Sequence, residues 1–290
     1  MAFLSYLIGG LGLGSVYAII ALGYSMVYGI AKMLNFAHGD VIMVGAFVAY
    51  FALSSFGLPA IVALILSVVA CTVLGIVVEK LAYKPLRGAS SLSVLITAIG
   101  VSYFLQNAAM LMWGTDTKIF PTVLEGSLTI GELSIPYLTL LTILSCIVIM
   151  VVLTMFINKT KTGRAMRACS EDKGAASLMG INVNQIISIT FAIGSGLAAI
   201  AAVLLCATYP SVYPTLGSMP GIKAFTAAVF GGIGSIPGAF LGGLLLGVIE
   251  NLARAYISTQ LSDAIVFMVL IVILLIKPTG LLGKKVNVKV

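Results

Sequence analysis

The stretch PAIVALILSVVACTVLGIVVE (59–79) decides the fold, because it runs from Pro59 to Val78 before it meets a charge, at Glu79. At about 1.5 Å of rise per residue, roughly 20 apolar residues in a helix cover the ~30 Å hydrocarbon core of a bilayer. A closed β-barrel would alternate apolar and polar residues over short segments, and this run does not alternate. The rest of the chain repeats the pattern. Nine apolar segments are expected, at 3–28, 39–55, 59–79, 91–112, 136–157, 186–208, 222–234, 237–255 and 261–276. Of 290 residues, 60% are hydrophobic and 9% charged, and mean hydropathy is +1.17. So few charges cannot cover a water-soluble domain, which usually carries about 25%. The expected class is all-α: a polytopic transmembrane helical bundle of about nine spans, forming a single domain over 1–290 in the lipid bilayer. The start, MAFLSYLIGGLGLGSVYAII (1–20), has no basic leader region or small-residue cleavage site and reads as a retained first helix.

The net charge of +7 follows from topology and not from nucleic-acid binding. Basic residues gather after alternate spans: Lys32; Lys80, Lys84 and Arg87; Lys159, Lys161, Arg164, Arg167 and Lys173; and Lys277, Lys284, Lys285 and Lys289. Only Lys118, Lys223 and Arg254 fall on the other side. Cytoplasmic loops carry the excess of Lys and Arg. The amino terminus is therefore expected outside and the carboxyl terminus in the cytoplasm. Trp113, Tyr137, Tyr209 and Tyr213 sit near the outer ends, as an aromatic belt does. The longest outer loop, 113–136, has room for a small hairpin.

Glycine spacing predicts close helix approaches. Gly10/Gly14, Gly238/Gly242 and Gly243/Gly247 each form G-x-x-x-G. These serve either a tight monomeric bundle or an interface or pore wall. FGGIGSIPGAFLGG (230–243) is expected to break into two helices. The third and eighth spans look alike: each starts with proline (Pro59, Pro237), and they end VEKLA (78–82) and IENLA (249–253). An inverted repeat is one reading of this likeness and chance is the other.

Polar residues inside spans need partners or water. LNFAHGD (34–40) puts Asn35, the lone histidine His38 and Asp40 at a bend between two apolar runs. His38 either closes the bend by a hydrogen bond or lines a path. Gln106 and Asn107 either bond to neighbouring helices or join Asn35 and His38 along that path. Glu250 and Arg254, at i and i+4, can pair on one helix face. Glu79 is expected to pair at the inner interface beside Lys80. The four cysteines, Cys71, Cys146, Cys169 and Cys206, lack metal-site spacing and suit ordinary packing. One histidine cannot build a His-rich metal site. There is no G-x-S-x-G and no G-x-x-x-x-G-K-[ST], so neither hydrolytic chemistry nor ATP binding is expected of this chain, and it is expected to hold no catalytic residues, metal or cofactor.

The inner loop NKTKTGRAMRACSEDKGAASLMGINVNQ (158–185) is expected to hold one short helix, about 171–179. Ser170 would cap it, Glu171 and Asp172 would sit at its positive end, and Gly180 would end it. This loop resembles the coupling loop of permease subunits in binding-protein-dependent ABC importers, whose motif is E-A-A-x-x-x-G. Ala175, Ala176 and Gly180 match that spacing, whereas Gly174 stands at the glutamate position and Glu171 lies one turn earlier. The stretch GLGLGSVYAIIALGYSMVYGIAKMLNFAHGDVIMVGAF (10–47) is similar to the amino-terminal signature of branched-chain amino acid permeases of the LivH type, and GGIGSIPGAFLGG (231–243) fits the same family. The resemblance covers essentially the whole chain. It implies a second, homologous permease subunit, two ATPase subunits that bind ATP and magnesium, and a periplasmic or extracellular binding protein. It further implies a bacterial inner membrane and import of leucine, isoleucine and valine, with other amino acids, amides or urea carried by some relatives. The rival reading is a self-sufficient secondary transporter or channel for a small amino acid or an amide such as urea, with Glu250 as its coupling carboxylate.

Overall fold

The computed structural model describes residues 2–131 and 133–283. Lys284, Lys285 and Lys289, counted above in the basic tail, lie outside the described residues. The described residues form eleven α-helices and one hairpin. Helix α1 (Ala2–Ala31) is followed by α2 (His38–Ser54), α3 (Ala60–Val78) and α4 (Ser91–Trp113). Strands β1 (Ser127–Ile130) and β2 (Leu133–Pro136) then pair antiparallel, with Ser127 opposite Pro136, which is the hairpin expected in the 113–136 loop. Helices α5 (Tyr137–Lys159), α6 (Lys161–Glu171), α7 (Lys173–Leu178), α8 (Val183–Thr208), α9 (Ser218–Gly231), α10 (Ile236–Tyr256) and α11 (Ser262–Ile276) complete the chain.

This is a polytopic helical membrane protein. Six helices, α1, α3, α4, α5, α8 and α10, are long and apolar enough to cross a bilayer, with α3 counted through Leu86. Helices α2 and α11 are apolar but shorter, and α9 has only 14 residues. The short helices fall in the segments already expected to be short, 39–55, 222–234 and 261–276, and the polar loops that feed α2 and α9 are themselves buried in part.

Two helices form the axis. Most of α1 from Gly10 onward is buried, as is most of α8. The outer helices turn large apolar side chains outward: Ile61 on α3, Phe104 on α4, Leu144 on α5 and Leu275 on α11. In lipid such residues are solvated, so they need no protein cover.

Glycine sets the distance between α1 and α10. A methyl group added at Gly14 would meet the Leu244 carbonyl oxygen at 2.7 Å, and one at Gly10 would meet Val248 Cα at 2.9 Å. Gly243 packs on Ala18, and Gly247 on Gly14. Two of the three G-x-x-x-G pairs thus face each other inside one chain. The third, Gly238/Gly242, lies against Gly231 and Ala227 of α9. The 230–243 stretch does break, between Gly231 and Ile236.

Candidate functional site

Helices α2 and α9 meet at their amino-terminal ends. Gly39, in the first turn of α2, touches Gly217 and Gly221 backbone to backbone at the start of α9. Any side chain at 39 or 217 would fill the space the other backbone occupies. Each helix start carries a partial positive charge from its unpaired N–H groups. Two such ends in contact call for a negative group, and Asp40 supplies it in the first turn of α2. Asp40 is buried. Among the described residues no cation pairs with it, and Gln106 of α4 donates from Nε2 to its Oδ1 at 2.8 Å. The same amide lies 3.4 Å from Ser218 Oγ on α9 and 3.3 Å from Ser102 Oγ. Gln106 thereby ties α4 to both helix starts. Asp40 belonged to the bend motif but not to the expected path set. Its signal was its place two residues into a helix whose start had nothing else acidic.

The other expected path residues lie elsewhere. His38 is 1% exposed, edge-on to Tyr24 with ring centroids 4.6 Å apart and Nε2 against Gly23. Asn35 accepts a 2.8 Å hydrogen bond from the Tyr83 hydroxyl. A π-turn at Glu79–Tyr83 continues α3 and delivers that tyrosine to the core. Asn107 sits on an exposed face of α4, its amide donating to the Tyr103 carbonyl at 2.7 Å. So Gln106 and Asp40 share one cluster, whereas Asn35, His38 and Asn107 each stand apart.

A second buried cluster joins α9, α10 and α11. Lys223, 4% exposed, donates to Glu250 Oε1 at 2.8 Å and to Asp263 Oδ1 at 2.6 Å. Arg254 pairs with the same Glu250 oxygen, which is the i, i+4 pair that the spacing predicts. Lys223 is a core residue of α9, and a lysine in so apolar a helix was the signal for a buried acid nearby.

At the opposite end of the bundle, Glu79 pairs with Arg87, not with Lys80, and accepts from Ser188 Oγ at 2.6 Å. Arg87 also reaches Asn184. The 158–185 loop holds two helices where one was expected. Thr160 accepts from the Gly163 amide at 2.9 Å and caps α6. Asp172, not Ser170, caps α7 through the Ala175 amide at 2.9 Å. Asp172 is extended, with φ −150°, so α6 stops there and a new helix starts. Ser170 instead bonds to the Arg167 carbonyl inside α6. Glu171 and Ala175 are exposed, Ala176 is buried, and Gly180 ends the element with φ +80°. Lys173 donates to the Ala31 carbonyl at the end of α1, at 2.6 Å. Burial holds its ammonium below the usual lysine range, and the like charges of Arg87 and Lys32 push the same way. The tip next to Gly180 shows Leu178 and Met179 at 90% and 83% exposure.

Three comparisons with known proteins bear on this geometry. Residues 6–274 match the family described as "Branched-chain amino acid transport system / permease component". The chain is 48% identical to the high-affinity branched-chain amino acid transport system permease protein BraD of Pseudomonas aeruginosa, over 97% of this chain and 96% of that protein. It is 43% identical to the permease protein LivH of Escherichia coli K12, over the same shares. Among solved structures it is similar to a chain of PsaBC from Streptococcus pneumoniae, at a TM-score of 0.50 and 14% identity, covering 94% of this chain and 92% of that one, a likeness of fold alone. By a family match across nearly its whole length and by this identity, the chain belongs to the branched-chain amino acid permease family.

Proposed function

We infer that the chain is the membrane permease subunit of an ATP-driven, binding-protein-dependent importer of branched-chain amino acids. The observation that carries this is the 48% identity to BraD along 97% of the chain. On this reading the subunit performs no chemistry. ATP and magnesium bind to two partner ATPase subunits, a second homologous permease subunit completes the path, and an external binding protein delivers the substrate. The secondary-transporter alternative, with Glu250 as an ion-coupling carboxylate, fits less well, because Glu250 is already held by Lys223 and Arg254.

The proposed topology has nine crossing segments, α1 to α5 and α8 to α11, with the amino terminus outside. Ten basic residues support it, from Lys32 to Lys277, which lie on the α6–α7 side of the bundle. An inverted repeat is proposed as well, pairing α1 with α8, α2 with α9, α3 with α10 and α4 with α11. Its support is the meeting of α2 and α9 start to start, each too short to span the ~30 Å core by itself. Irregular backbone at such depth is tolerated where protein surrounds it.

The path residues are proposed as Gln106, backed by Asp40, with Asn35, His38 and Asn107 in supporting places. The coupling element is proposed as α7 and its tip. Glu171, Ala175, Ala176 and Gly180 shape it, and the exposed Leu178 and Met179 supply the apolar surface that a partner covers.

The test is leucine uptake by proteoliposomes holding this subunit, its membrane and ATPase partners and the binding protein, with and without internal ATP. Uptake that requires ATP and every partner is expected. Uptake by this chain alone, indifferent to ATP, would favour the secondary transporter.

A further inference from the structure

A cavity of about 240 Å³ opens between α1, the end of α8, the 209–217 loop, α9 and α10. It lies on the side that carries the 114–126 loop, which a pair of backbone hydrogen bonds between Lys118 and Val212 holds against residues 209–217. Lys223 and Arg254 reach its wall, together with Tyr17, Tyr209 and Tyr213. Leu13, Leu205, Leu216 and Met219 make the rest largely apolar.

The charges are arranged asymmetrically. No carboxylate is among the residues that line the cavity. Glu250 pairs with Lys223 and Arg254, and Asp263 with Lys223, without joining the lining. The cavity is therefore offered the cationic face of the ion cluster. Arg254 donates from Nη2 to Glu250 Oε1, and on that same edge its Nε and Glu250 Oε2 are both buried without a partner, so the edge left for a ligand is the one that carries Nη1. A guanidinium presents paired N–H groups in a fixed fork that matches a carboxylate. The volume is that of about eight waters at ~30 Å³ each, which suits a small amino acid and not a lipid.

We propose that this cavity is a binding site within the membrane subunit for a small apolar amino acid, held by its α-carboxylate at Arg254 and Lys223 with its side chain against the leucine and methionine wall. The proposal rests on the importer reading for the choice of ligand and deepens it by placing a substrate site in this chain. The carboxylate is the anchor.

The experiment is saturable binding of tritiated leucine to the full chain in lipid nanodiscs. Leucine amide, isocaproate and inorganic phosphate serve as competitors. Isocaproate, which keeps the carboxylate and lacks the amine, is expected to compete, and leucine amide is not. Arg254→Lys keeps the charge and loses the fork, so half-saturation should rise about tenfold. Met219→Trp fills the cavity without touching the ions and should abolish binding. Leu216→Phe repeats that test should Met219→Trp fail to fold. Lys223 is left alone, because removing it would strand Glu250 as an uncompensated buried charge.

The proposal is overturned by no saturable binding to the wild-type chain, by equal competition from leucine amide, by displacement with phosphate as effective as leucine, or by unchanged binding in the variants. Uptake by the assembled importer without binding to this chain would remove the site and keep the importer. Binding here without ATP-driven uptake would do the reverse.

Discussion

Asp40 shows what a single residue does in this protein. A carboxylate in a span costs about 2.5–3.5 kcal/mol on insertion scales. Here it lies in the first turn of α2 and accepts from Gln106, whose amide also reaches the start of α9. Asp40→Asn keeps the shape and removes the negative charge, so we expect folded yield to stay within about twofold while ATP-driven uptake falls at least tenfold. Gln106→Leu takes away the amide that joins α4 to both helix starts and is expected to act in the same direction. Parallel measurement of detergent-extracted monomer and proteoliposome uptake checks both. His38 behaves differently, because it fills space between Tyr24 and Gly23. His38→Ala opens a cavity in the core, with a cost in the 2–5 kcal/mol range of large-to-alanine changes, so yield and uptake should fall together. The thiols offer a further check. All four cysteines are buried, and burial raises the Cys169 thiol above its ordinary 9.0 although Lys173 pulls the other way. Maleimide at pH 7 should therefore label the native protein far more slowly than the SDS-unfolded chain.

At the scale of elements, spacing revealed the long helices well, and the short ones poorly. Twenty apolar residues in a row admit little but a spanning helix, so α3, α5 and α8 were legible to within a few residues. The start of α9 was not, because residues 209–217 approach Gly39 from a distant part of the chain, which no local pattern records. The loop between α5 and α8 shows the same limit. Ser170 and Asp172 are both good caps by type, and the choice between them depends on where α6, anchored by Thr160, runs out. Lys32 is similar: it takes φ +57° at the end of α1, where glycine is usual, and nothing around it in sequence announces that. Asp172→Ala should cost α7 about 1 kcal/mol. Leu178→Glu with Met179→Glu should leave the membrane bundle intact and lower ATPase co-purification and uptake together, as tested by pull-down and transport on one preparation.

The whole molecule rests on α1 against α10. Gly14→Leu or Gly247→Leu would force these backbones apart, and overpacking usually costs about 1–3 kcal/mol. The expected outcome is a drop in melting temperature by fluorescence-detected size exclusion, larger than for Gly100→Leu, where the added side chain meets open space. The proposed orientation is tested by single cysteines at Lys118 and Leu178. An impermeant thiol reagent added outside should label the first only. Of the candidate site, sequence reading found Gln106 and the Glu250–Arg254 pair. It named Asp40 at the bend and had Lys223 inside an apolar segment, but not their partners, which packing alone brings together.

The contact between Gly39 and Gly217 carries one more consequence. Most seams between helices are locked by interleaved side chains, whose rotamers must change before the seam can part. Here two bare backbones touch, so there are no rotamers to release and no apolar interlock to strip. What joins the two ends is instead polar, the Gln106 amide between Asp40 and Ser218. A single change of amide or carboxylate can therefore undo this seam, whereas the ridge of α1 on α10 has no polar clasp to lose.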